Sequence, residues 1–177
     1  EDKAKVESLY WEISQAVVAD FGGRSMVPAE IQELEENLSD QYLCNFSVFQ
    51  SLIDHWALNQ LFPIMPLRSL DQPPEREARL VDITCDSDGQ VDRFIGQDKQ
   101  CQTLSLHLPS ITGDDPYPLG FFLMGAYQDI MGDMHNLFGQ VSEVHVFIDP
   151  NKKKGYYIDQ ATDGATIAEV LEMVQYK

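Results

Sequence analysis

From Tyr42 onward the chain offers no apolar pattern long enough for a long helix, and this constrains its fold more than any other feature. Short β-rich runs occur at 42–49, 61–67, 79–84, 91–95, 103–108 and 119–124. Clusters of Pro, Gly and Asp separate them, among them Asp71-Gln72-Pro73-Pro74 and Thr112-Gly113-Asp114-Asp115-Pro116. Several short strands at this spacing predict an antiparallel barrel or sandwich. The preceding residues read differently. Val6, Leu9, Tyr10, Ile13 and Val17 recur at steps of three and four, which predicts an amphipathic helix ending near Gly22-Gly23. Pro28 then opens a second helix, with Ile31, Leu34 and Leu38 on one face and acids on the other. The pair covers 3–39.

Beyond the β-rich region the pattern turns helical again near Gln128. A hairpin follows at 144–148 and 156–159, joined through Pro150-Asn151-Lys152-Lys153-Lys154-Gly155, whose lysines read as a solvated turn. Thr166 opens a last helix over 167–174. The predicted class is α+β: an N-terminal helical pair, an antiparallel β-barrel or sandwich with a short helix, and a C-terminal hairpin and helix. One seam is expected, with a helical segment at 1–40 and a β-barrel-like domain at 41–177.

The chain has 177 residues and is 44% hydrophobic, enough for one domain with a real core, or one domain with a helical appendage. No apolar run approaches the roughly 18 residues of a membrane span. The opening Glu1-Asp2-Lys3-Ala4-Lys5 is charged and leads straight into a helical pattern, unlike a signal peptide. The absence of an initiator methionine points to a fragment or a processed product. Twelve basic against 29 acidic residues give a formal charge of −17, which repels phosphate backbones and argues against nucleic acid as a partner. Cys44, Cys85 and Cys101 form no CxxC pair and no even disulfide framework, so a reducing cytoplasm is the expected home.

Two β-like runs stop abruptly at chemically able residues. The first is Leu80-Val81-Asp82-Ile83-Thr84-Cys85-Asp86-Ser87-Asp88-Gly89. Cys85 reads either as a buried thiol acting as a small hydrophobe or as a chemical group. Flanking carboxylates repel a developing thiolate, so a nucleophilic pair with His135 is disfavoured and a protonated, proton-donating thiol is favoured. Asp86 and Asp88 fail as a calcium loop, because Thr84 and Ile95 would occupy its first and twelfth positions. Asp88-Gly89 reads as a tight hairpin turn. The second run ends at Gly125-Ala126-Tyr127, small residues at a strand-to-helix junction where an anion can approach the backbone. His135 reads as a structural histidine satisfied by a backbone carbonyl. His55, His107 and His145 lack ligand spacing, so no zinc site is indicated.

The stretches Asp82–Gly89 and Gly125-Ala126-Tyr127-Gln128-Asp129-Ile130-Met131-Gly132-Asp133-Met134-His135-Asn136-Leu137-Phe138-Gly139 resemble the C-terminal part of the biosynthetic arginine decarboxylases. The likeness extends to Tyr42-Leu43-Cys44-Asn45-Phe46-Ser47-Val48-Phe49-Gln50-Ser51 and Gln60-Leu61-Phe62-Pro63-Ile64-Met65-Pro66. These are pyridoxal-phosphate enzymes of the alanine-racemase and ornithine-decarboxylase fold group. The resemblance implies conversion of L-arginine to agmatine and CO2 in polyamine biosynthesis, and homodimeric or larger assembly with the active site at the subunit interface. It implies that Cys85 acts at the substrate α-carbon and that Asp86 faces the distal cationic group. A carboxylate accepts two parallel hydrogen bonds from a guanidinium, which suits that second role. It further implies that Tyr127 hydrogen-bonds the cofactor phosphate and that Phe138 lies against the substrate. Magnesium is implied too, with no ligand to name.

The family's Schiff-base lysine lies on an N-terminal (β/α)8 barrel, and nothing in this sequence matches that barrel. The chain is therefore expected to be a fragment, inactive alone, partnered by that barrel. Other readings remain open: a related decarboxylase of ornithine, lysine or diaminopimelate, or a non-catalytic binding or regulatory β-domain.

Overall fold

The computed structural model describes residues 2–22, 24, 26–96, 100–110 and 115–176. Gly23 of the expected helix stop, and Thr112, Gly113 and Asp114 of one expected loop cluster, lie outside the described residues. The two N-terminal helices form as the periodicity requires: α1 over Asp2–Phe21 and α2 over Ala29–Asn37. Pro28 stands at the N-cap of α2, its φ of −57° preset by the ring, and its carbonyl accepts from the Ile31 and Gln32 amides. Along α1 only Ser14 is buried, and Val6 (66%) and Leu9 (55%) of the apolar stripe are exposed.

The β-rich region departs from expectation in several places. Strand β1 covers Asp40–Leu43, but beyond it the predicted 42–49 strand is irregular over 44–47 and then enters a helix, α3 (Val48–Ser51), which α4 (Ile53–Leu58) follows. The cause is Ser47, whose hydroxyl accepts the Gln50 amide at 3.3 Å and caps α3. Next come β2 (Ile64–Pro66) and β3 (Arg76–Val81). The predicted 91–95 strand is broken at Asp92-Arg93 into β4 (Gln90–Val91) and β5 (Phe94–Ile95). Strands β6 (Gln100–Cys101), β7 (Leu104–Leu106) and β8 (Leu119–Phe121) complete the region. Helix α5 (Ala126–Met131), the hairpin β9 (Glu143–Ile148) and β10 (Tyr156–Thr162), and α6 (Ile167–Met173) follow the sequence pattern closely. Thr166 and Glu169 close a capping box at the start of α6.

The class is α+β as predicted, with several antiparallel sheets, a C-terminal hairpin and a last helix, and of the two β architectures expected the closed barrel is corrected. Among the described residues one four-stranded sheet runs β1-β3-β4, with β7 also on β3. The other strands pair only in twos: β2 with β8, β5 with β6, β9 with β10. Closure requires two neighbours for every strand, and these six have one each.

Contacts group the chain into two compact units. One consists of Glu1–Tyr42, Ile64–Arg79 and Asp92–Gly120. Within it β3 and β7 pair Arg76 with Leu106 and Ala78 with Leu104, and Ala78, Phe94 and Leu106 are buried. Its buried His107 is a structural histidine. Nε2–H donates to the Gln72 carbonyl at 2.9 Å, which leaves Nδ1 to accept from the Tyr117 hydroxyl at 2.7 Å.

The other unit consists of Leu43–Pro63, Leu80–Val91 and Phe121–Lys177. Its apolar core includes Phe46, Val48, Leu52, Phe62, Leu80, Val91 and Val170. All the residues singled out in the sequence as chemical candidates belong to this unit.

Candidate functional site

The site is built outward from the short helix α3. Just after β3, the Asp82 side chain turns inward and is 6% exposed. Its Oδ2 accepts the Val48 amide at 2.9 Å and its Oδ1 accepts the Thr84 amide at 2.9 Å. The first bond ties the loop to the start of α3; the second curls residues 82–84 away from the sheet. Two amides that would otherwise be stranded are thereby satisfied by a charged acceptor. Gly89 completes the loop. A Cβ there would overlap the Asp82 carboxylate, so no other residue permits this approach. The Asp82 amide donates to the Gly89 carbonyl at 2.8 Å, and Leu80 pairs with Val91 across the hairpin. The Asp88-Gly89 turn read from the sequence is present, with residues 87–88 forming it.

The second loop hangs on the same helix through amides. Buried Gln128 of α5 donates from Nε2 to the Gln50 carbonyl at 3.0 Å and accepts the Asp54 amide at 3.2 Å. Gln50 in turn accepts the His135 amide on its side-chain Oε1 at 3.2 Å. A Cβ at Gly132 would overlap the Gln50 carbonyl oxygen, so the chain passes tightly over α3 here. Val48, Phe49 and Gln50, three consecutive residues, thus hold both loops.

The loops present their candidates to one another. The His135 Nε2 lies 2.9 Å from Asp86 Oδ2, and the imidazole packs on the Phe49 ring at 4.7 Å between centroids. A carboxylate only accepts, so Nε2 carries the proton of this bond. The expected backbone-carbonyl partner is therefore replaced by a carboxylate. Next to it, Asn136 Nδ2 points at Cys85 Sγ at 3.7 Å. Cys85 is exposed, which overturns the buried-hydrophobe reading of that thiol. Cys44, by contrast, is half-buried. Loss of solvent, and then the nearby Asp82 carboxylate, push its pKa up to about 11. None of the three cysteines forms a disulfide.

Phe138 is half-buried and bridges back to His135, its amide donating to the His135 carbonyl at 3.2 Å. Tyr127 stands apart from this cluster, in the first turn of α5 with 75% of its surface exposed. Gly125 caps that helix, and a Cβ there would meet nothing within 4 Å, so the backbone can be approached. The open approach and the exposed phenol at the start of a helix fit one end of a phosphate.

The described lysines are Lys3 and Lys5 on α1 and Lys152, Lys153 and Lys154 in the hairpin turn; Lys99 and Lys177 lie outside the described residues. Among the described residues no group of three or more His, Cys, Asp or Glu is placed to hold a metal ion, and no helix is long and apolar enough to cross a membrane.

Asp82, Gln50 and Gln128 are absent from the sequence-based site. A signal existed for one of them. Ser47-Val48-Phe49-Gln50 has the form of a capping box, although the Gln50 side chain is spent on His135 instead of on the cap.

No protein-family model matches the chain. Curated relatives do. The chain is 50% identical over 174 residues to the biosynthetic arginine decarboxylase of Phocaeicola vulgatus, covering 98% of this chain and 27% of that protein. It is 47% identical over 177 residues to that of Deinococcus radiodurans, covering 100% and 26%. The crystal structure of the biosynthetic arginine decarboxylase SpeA from Campylobacter jejuni superposes with a TM-score of 0.58 at 40% identity, over 83% of this chain and 24% of that one. The chain spans about a quarter of the length of the relatives it matches. In sequence over nearly all its length, and in fold over most of it, the chain is a homologue of the C-terminal part of the biosynthetic arginine decarboxylases.

Proposed function

We propose that this chain works as part of an arginine decarboxylase, which converts L-arginine to agmatine and CO2 in polyamine biosynthesis. The observation that carries this is 44–50% identity, maintained over nearly the whole chain, to proteins of that name. Residues 1–40 are assigned to a helical insertion and residues 41–177 to the β-domain. The rest of the enzyme supplies the (β/α)8 barrel and its lysine, and a second subunit completes the site. Magnesium is left without a ligand, and the setting is cytoplasmic.

Pyridoxal phosphate, when bound, would supply an electron sink for the α-carbon. Tyr127 donates its phenolic hydrogen to a phosphate oxygen. Cys85, exposed, gives the proton on Sγ to the α-carbon, where hydrogen takes the place of the lost carboxylate, and the thiolate recovers a proton from solvent. Asp86 offers its carboxylate to the cationic end of the substrate, a charge-assisted contact. Phe138 forms part of the apolar wall beside it.

The test is CO2 and amine release by the full-length protein with arginine, ornithine, lysine and diaminopimelate. Turnover confined to arginine is expected. Preference for another amino acid would reassign the substrate, and cofactor-loaded protein inert towards all four would make this a binding module. The 177-residue chain alone is expected to be inactive. If Cys85 and Asp86 reach the partner's cofactor, mixing subunits lacking the barrel lysine with Asp86→Asn subunits restores partial activity.

A further inference from the structure

Four side chains from the two loops meet in a fixed order: Asn136 against Cys85, and His135 against Asp86. Consecutive residues on one loop thus address consecutive residues on the other. The backbone that makes this possible is strained. Asn136 and Leu137 both have positive φ, 54° and 59°, between His135 and Phe138, whose bridge closes the turn. Two left-handed residues in a row give the tight turn normally built from Asn-Gly. Asn tolerates this conformation; Leu does not, since its Cβ crowds the following carbonyl. Strain of this kind persists only where the surroundings over-determine it. Here they do: the Gln50 side chain holds the His135 amide, and the Phe49 ring holds its imidazole.

From this juxtaposition we infer that His135 and Asn136 are positioning residues, a two-point latch that sets Asp86 and Cys85 for substrate. The inference rests on the arginine decarboxylase reading for its substrate and on the loop geometry for everything else. His135 engages one carboxylate oxygen of Asp86 and so aims the other at the substrate's cation. Asn136 donates to the Cys85 sulfur and fixes its direction while leaving the thiol its proton. The two halves act at different moments: Asp86 holds the substrate's far end throughout, whereas Cys85 matters only when the α-carbon takes its proton.

That difference separates a latch from simple structural support. In the full-length enzyme, His135→Phe keeps a ring on Phe49 and removes the hydrogen bond. It should raise the arginine KM about tenfold, with kcat much less affected. His135→Gln, which retains a donor, should recover most of the loss. Asn136→Gly keeps the left-handed turn and should lower kcat about tenfold with KM nearly unchanged. A wild-type KM in His135→Phe overturns the proposal, as does an equal loss of kcat and KM in both variants.

If the enzyme prefers another amino acid, the same split measured with that substrate upholds the latch while the arginine reading falls. If it decarboxylates nothing, alkylation of Cys85 by iodoacetamide, resolved by mass spectrometry, decides. Faster modification in Asn136→Gly than in wild type supports the latch, and equal rates overturn it.

Discussion

The loops around Cys85 and His135 and the β9–β10 ribbon belong to the same compact unit, yet they are held in opposite ways. The loops are irregular, but buried polar atoms of Asp82, Gln50 and Gln128 fix them at several points. The ribbon is regular, with Tyr156 opposite Ile148, Ala161 opposite Val144 and one irregularity between Ile158 and Gln160. Both its strands are nevertheless exposed along their full length, with Ile148 at 88%. A two-stranded ribbon has only its own ladder and cross-strand pairs to stabilise it. Regular backbone is therefore a poor guide to where this chain spends its specificity. The geometry of the two loops is written in a few buried polar side chains.

The sharpest way to break this comparison is Asp82→Ala. It strands the Val48 and Thr84 amides, and the local free energy of opening should fall by about 3 kcal/mol. Loss of hydrogen-exchange protection at those two amides is the readout. A silent substitution would mean the loop is held by its turn alone.

The next effect comes from pH. The Cys44 pKa is raised from 9.0 to about 11 on folding, chiefly by burial. Its contribution is complete below pH 9 and is lost as pH climbs towards 11, because the unfolded thiol ionises first. The total is about 2–3 kcal/mol, and Cys44→Ala should flatten this part of the curve in urea unfolding measured from pH 8 to 11.

A smaller effect of opposite sign is expected at Leu137→Gly. Removing the left-handed strain should stabilise the turn by about 1 kcal/mol, seen as a higher melting temperature. The ribbon supplies the smallest. Val146→Thr, opposite Ile158, should change stability by no more than about 0.5 kcal/mol, measured the same way. A loss as large as that of Asp82→Ala would show that the ribbon is anchored as firmly as the loops.

These contrasts track what the sequence makes legible. Helices α1, α2 and α5, the final hairpin and the capped α6 follow from periodicity and from Pro28 and Thr166, all local signals. The residues Cys85, Asp86 and Tyr127 stand out because they follow apolar runs, whereas Phe138 is marked only by the family resemblance. What is hidden depends on long-range partners. Ser47–Ser51 carries enough apolar residues to read as strand, and only the Ser47 cap and the demands of Asp82 and His135 make it a helix. The barrel fails because short strands say nothing about how many neighbours each one finds. His135 looked like a carbonyl partner, since nothing in the sequence places residue 86 beside residue 135.

The central assignment, Cys85 as the proton donor on a loop held for that purpose, is tested most directly by Cys85→Ala in the full-length enzyme, through steady-state release of agmatine and CO2 from arginine. The expected result is a kcat lower by roughly a hundredfold or more with an almost unchanged KM, because the thiol acts after binding. A variant with wild-type kcat, whatever its melting temperature, would contradict the assignment.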